Sequence, residues 1–90
     1  MKTYNGWENY ETWCVNLWLN ENEYSQKWLQ TNIEEAANIQ DAGEQIREHL
    51  VEQARETVGE ANLFNDLLLR SLNRVAWVQI VENNDERTAR

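Results

Sequence analysis

Five glutamates, Glu44, Glu48, Glu52, Glu56 and Glu60, recur at every fourth position and form the most regular charge pattern in the chain. On a helix rising roughly 1.5 Å per residue, such carboxylates stand about 6 Å apart and drift around the axis by about 40° per step. A line of negative charges at that spacing resembles the phosphate repeat of one nucleic-acid strand. A protein that holds nucleic acid with Lys and Arg could accept it as a mimic. The plainer reading is a solvated helix face, partly neutralised by i, i+3 pairs at Glu44–Arg47 and Glu52–Arg55.

Other chemistry has little to work with. Nucleophilic catalysis needs a nucleophile beside a base, and the chain holds one Cys, Cys14, and one His, His49. Cys14 falls within an apolar helical pattern, and His49 lies near the polar face of a helix. No Gly-rich loop follows a strand, as a phosphate cradle requires. Structural zinc needs four Cys or His ligands. Carboxylate-bridged metal bundles use Glu-x-x-His, and no Glu here has a His three residues on. The expectation is a protein that is not an enzyme and uses no cofactor or metal.

Aromatic residues are the second concentration. Three of the five Trp and two of the three Tyr fall between Tyr4 and Leu19. Asn5-Gly6 is a turn pair, and Asn9 suits an N-cap. Beyond it, Tyr10, Trp13, Cys14, Leu17 and Trp18 keep the i, i+3, i+4, i+7, i+8 spacing of one helix face. That spacing predicts a core-facing helix over 10–20 containing Tyr10, Trp13, Leu17 and Trp18. Tyr4 and Trp7, in the loop before it, either fold back on this helix or anchor a partner, as Trp and Tyr do in interfaces; fold-back is favoured.

The elements that must carry these residues read as helices throughout. The chain contains no Pro and three Gly, it is rich in helix-forming residues, and no apolar run alternates as a strand would. Asn22 caps a second helix over about 23–38 carrying Trp28. A capping box at Asp41-Ala42-Gly43-Glu44 opens a third over 42–58 with Leu50 on its apolar arc, ended by Gly59. Asn62 caps a fourth over 63–73 with Phe64 and Leu68, contacted from two sides. Asn73 caps a fifth over 74–82 with Trp77, one helix over 63–82 being the alternative. The expected fold is all-α, a bundle of four to five short helices without a sheet. It makes one domain over 1–90, with an ordered loop at 1–8 and a frayed tail at 83–90. Trp28, Leu50, Phe64, Leu68 and Trp77 join the core of the first helix.

Net charge is −8, with eight acids against Lys2 and Lys27 in residues 1–45 and eight against six Arg in residues 46–90. That balance argues against direct contact with nucleic acid or an anionic membrane and favours a basic protein partner. A lone Cys permits no disulfide within the chain and fits a reducing cytoplasm. No apolar run reaches membrane-spanning length.

The run Asn5-Gly6-Trp7-Glu8-Asn9-Tyr10-Glu11-Thr12-Trp13, continued by Val15, Leu17, Trp18 and Leu19, resembles a family of small, mostly uncharacterised proteins from phages, plasmids and other mobile elements. Their members open with N-G-[WY]-x-N-Y-E-T-W-x-V-x-L-W. Asp66-Leu67-Leu68 and Val75-x-Trp77-x-x-Ile80 are similar in a looser way. The resemblance spans about half the chain, leaves the Glu series unmatched, and carries no binding residues over. It implies a context in which small acidic proteins bind host or phage proteins, a CRISPR or restriction complex among them. The leading expectation is therefore an inhibitor of a nucleic-acid-handling defence complex, acting in the host cytoplasm through the Glu face. The alternative is an assembly or accessory protein, a monomer or homodimer, that associates through an apolar surface.

Overall fold

A computed structural model describes residues 4–59 and 62–85. Glu60, the last of the Glu series, and residues 86–90 of the expected tail lie outside the described residues. Among the described residues five helices follow in order: α1 (Tyr10–Leu19), α2 (Glu23–Glu35), α3 (Ile39–Val58), α4 (Leu63–Asn73) and α5 (Trp77–Asn84). The described residues contain no strand, only an isolated bridge between Tyr4 and Trp7. The fold is all-α.

Asparagine starts four of the five helices. The side chains of Asn9, Asn22, Asn38 and Asn62 each accept from the backbone N–H three residues on, at 2.9, 2.9, 2.8 and 2.8 Å, which satisfies an amide that has no partner inside the helix. Asn38 was not expected in this role. Its cap ends α2 at Glu35, short of 38, and starts α3 at Ile39, ahead of the Asp41 box. Gly43 is thus an interior helical residue. A Cβ there would lie 3.3 Å from Trp77 Cβ, so its bare backbone lets α5 sit close on α3. Asn73 closes α4 and caps nothing, and the break at Arg74–Ala76 rules out one helix over 63–82. Asn83 and Asn84, expected in the tail, complete α5.

The longest helix, α3, is the hub and packs against α2, α4 and α5. Leu29 and Ile33 of α2, Ala42, Ile46 and Ala54 of α3, Leu72 of α4, and Val75, Trp77, Ile80 and Val81 make the core together with Leu19. Trp7, Trp28, Leu50 and Leu68 are partly buried against it. Helix α4 is not central: Leu63, Phe64 and Leu67 face solvent, Phe64 at 68 % exposure. It packs chiefly on α3, so an apolar arc wide enough for two neighbours is covered on one side only.

The largest correction concerns α1. Tyr10, Leu17 and Trp18 are exposed, Trp18 by 67 %, and Trp13 and Cys14 are half-buried. The side that goes inward carries Thr12 and Leu19, both buried, with Val15 and Asn16. Apolar residues nearly encircle this helix, so spacing alone does not choose the inner face. Polar contacts choose it: Thr12 Oγ1 accepts from Ala76 N–H at 2.9 Å, and Asn16 Oδ1 accepts from Asn84 Nδ2 at 2.8 Å. Only the side bearing Thr12 and Asn16 meets α5 with these groups satisfied.

Candidate functional site

The N-terminal motif is first of all a clasp. Asn5 and Gly6 both take positive φ, 49° and 88°, as a two-residue hairpin turn requires, and the backbones of Tyr4 and Trp7 exchange hydrogen bonds of 2.7 and 2.8 Å across it. Gln79 of α5 then grips the loop from both sides. Its Oε1 accepts from Glu8 N–H at 2.9 Å, and its Nε2 donates to Gly6 carbonyl at 3.2 Å. Asn9 Nδ2 donates to the Arg74 carbonyl at 2.7 Å, and Arg74 Nε donates to Glu11 Oε2 at 3.0 Å. Thr12 closes the arrangement on Ala76. The residues at Gly6–Thr12 and at Arg74–Gln79, far apart in the chain, are thus used on each other.

With its polar residues turned inward, α1 displays its aromatic side. Tyr4 folds back onto it: its ring centroid lies 5.3 Å from Tyr10, edge-on, and 5.1 Å from Trp13, with Tyr10 and Trp13 themselves 5.6 Å apart. These separations suit edge and tilted aromatic pairs. Trp7 instead points to the core. Cys14 beside Tyr10 holds the phenol above its usual titration range, by charge and by a side-chain hydrogen bond. Leu17 and Trp18 carry the apolar face to the end of the helix.

Around Trp18 this face opens into a groove of about 350 Å³ between α1 and α4, with α3 as its floor. Cys14, Trp18 and Leu19 form one wall, Leu68 and Leu72 the other, and Leu50 and Ala54 lie below. Phe64 stands one turn before Leu68 on the same side of α4, and Leu67 beside it; both are exposed. Past Leu50 a second hollow of about 410 Å³ continues to Tyr24, Trp28 and His49. The Trp28 and His49 rings lie 4.9 Å apart, so His49 is exposed yet seated against an aromatic neighbour.

The Glu series lies elsewhere. Glu44, Glu48, Glu52 and Glu56 are all exposed. Glu52 meets Arg55 at 3.7 Å, but Arg47 turns from Glu44 and donates to Asn73 Oδ1 at 3.1 Å. Glu44 also rims a hollow of about 680 Å³ between α3 and α5, shared with Glu8, Glu82, Arg47 and Gln79 over Trp77. Among the described residues no three His, Cys, Asp or Glu side chains are grouped to hold a metal ion, and no helix is long and apolar enough to cross a membrane.

A family model described as a family of unknown function, DUF7249, matches residues 1–87. The chain belongs to that family. No curated protein and no solved structure matches it. The match takes in both halves of the clasp and every helix of this family member, so the outward aromatic face and the groove lie within the family's extent. Sequence reasoning missed the groove because it assigned Tyr10, Leu17, Trp18 and Phe64 to the interior. The signal that bears on this was the excess of apolar positions on the helices over 10–20 and 63–73, more than one buried face of each can use.

Proposed function

We propose that this protein is a non-enzymatic protein-binding module that engages its partner through the aromatic face of α1 and the groove between α1 and α4. The observation that carries the reading is the exposed Tyr10, Leu17 and Trp18 on α1, facing a groove whose far wall is Leu68 and Leu72 of α4, with Phe64 and Leu67 exposed on that same helix. Contiguous apolar surface of this kind marks interaction sites in small proteins, and Trp and Tyr are the side chains that concentrate binding energy in them. The test is affinity capture from host cells followed by mass spectrometry. Trp18→Glu is expected to lose the captured partner while keeping the helical circular dichroism of the parent, because the side chain is exposed. Equal capture by parent and variant would remove this face from the interaction.

A second reading rests on the exposure of Glu44, Glu48, Glu52 and Glu56 along the longest helix. That face suits a basic, nucleic-acid-binding surface, such as that of a CRISPR effector or restriction enzyme, which the protein would block as a phage or plasmid product. Replacing Glu48, Glu52 and Glu56 together by Gln is expected to weaken such binding and to flatten its dependence on salt. Unchanged affinity and salt dependence in the triple variant would leave the acids as a solvated face.

A further inference from the structure

We propose that the occupant of the α1 face and its groove is a second copy of this chain, giving a two-fold dimer with both α3 acidic faces outward. The proposal rests on the protein-binding reading and adds the identity of a partner. Charge distribution is the deciding argument. The chain carries −8, so two copies repel unless they meet where the surplus is absent. Of the described side chains lining the groove and its continuation, none is an acid, Lys or Arg, and His49 is the one titratable imidazole. Charges on the flanking helices are balanced: Glu11, the charged residue of α1, is held by Arg74 at 3.0 Å, and α4 carries Asp66 against Arg70. The other described acids lie outside the groove lining: Asp41, Glu44, Glu48, Glu52 and Glu56 on α3, Glu23, Glu34 and Glu35 at the ends of α2, Glu21 in the turn before it, and Glu8, Glu82 and Asp85 around α5. A basic partner finds no carboxylate lining this groove and is drawn to α3. A like-charged copy finds here the surface that opposes it least.

Shape agrees with charge. A two-fold interface joins one patch to itself, so the patch must contain both projections and recesses. This one has projecting Trp18, Phe64 and Leu67, exposed by 67, 68 and 57 %, beside a recess of about 350 Å³. That volume lies at the lower end for ligand pockets and suits inserted side chains better than a whole helix, which is about 10–12 Å across. The exposed apolar side chains of one copy can therefore fill the groove of the other.

The experiment is sedimentation equilibrium of the full chain from about 1 µM to roughly 300 µM, repeated at low and high salt. The mass is expected to rise from the 10.7 kDa of the monomer to twice that value. Raised salt should tighten the dimer, because screening relieves repulsion between like-charged bodies. Trp18→Glu and Phe64→Glu should each weaken it by roughly a hundredfold or more while leaving the circular dichroism unchanged. A monomer at the top of the range overturns the proposal, as does a dimer that neither variant weakens. If the chain is monomeric and Trp18→Glu still abolishes capture of a host protein, self-association falls and the protein-binding reading stands. If capture is also insensitive to Trp18→Glu, both fall.

Discussion

Trp77→Ala is expected to lower the free energy of unfolding by about 3–5 kcal/mol, the scale of a large aromatic truncated in a packed interior. At about 1 µM, where the chain is monomeric, Trp18→Ala should change it by less than about 0.5 kcal/mol, as exposed substitutions do. The two residues are of one type and sit on helices of similar length, so the contrast isolates burial. Trp77 is 9 % exposed and Trp18 is 67 % exposed. Trp77 also lies on the bare backbone of Gly43 at the contact between α3 and α5, where the hub meets the helix that the N-terminal clasp holds. Its Nε1 is buried without a hydrogen-bond partner. Trp77→Phe therefore gives up ring volume but no hydrogen bond, and should cost well under the Ala truncation, about 1–2 kcal/mol. Trp13→Ala, half-buried beneath Tyr4, belongs between the extremes. Urea denaturation of the four variants checks the series. If Trp18→Ala proved as damaging as Trp77→Ala, the aromatic face of α1 would be interior, and the binding surface would disappear with it.

That series also marks where the sequence was readable. Helix existence followed from the scarcity of Gly and Pro and from capping chemistry, and Asn9, Asn22 and Asn62 stand where local rules place an N-cap. Asn38 was missed because Ala36 and Ala37 extend the apolar rhythm of α2, and helical spacing cannot register a three-residue break whose evidence is one side-chain bond. The face of α1 was illegible for a different reason. When Tyr10, Trp13, Val15, Leu17, Trp18 and Leu19 surround a helix, burial is decided by the polar residue that finds a partner elsewhere, and the partners here, Ala76 and Asn84, are more than sixty positions away. Phe64 failed in the same manner on α4. The Glu series depended only on local charge periodicity, and its four described members are all exposed. Exposure written in local charge pattern was legible. The groove is built from three helices and emerges only from their packing.

Thr12→Val is expected to destabilise the fold by about 2 kcal/mol although it conserves shape and burial. Thr12 is fully buried, and its hydroxyl is used twice: it donates to Asn9 Oδ1 at 2.6 Å and accepts from Ala76 N–H at 2.9 Å. Ala76 is the N-cap of α5 and has no capping side chain of its own, so the acceptor for its amide comes from α1. A methyl in place of the hydroxyl leaves that N–H inside the protein without a partner, at a cost of about 1–3 kcal/mol. The extra burial of a methyl offsets part of this, and weakening of the Asn9 contact adds to it. For a chain of this size the loss corresponds to a fall in melting temperature of roughly 8–16 °C. Thr12→Ser keeps the hydroxyl and gives up one methyl, about 1 kcal/mol, so it should retain more stability than the Val variant. A double-mutant cycle with Asn9→Ala adds a second constraint. Because Asn9 and Thr12 belong to one network that also reaches the Arg74 carbonyl, the double variant should lose less than the sum of the singles, by roughly 0.5–3 kcal/mol. Additive losses, or a Ser variant as unstable as the Val variant, would mean that Thr12 contributes by packing alone. The N-terminal motif would then not be a hydrogen-bonded clasp on the turn between α4 and α5, and the inward orientation of α1 would need another cause.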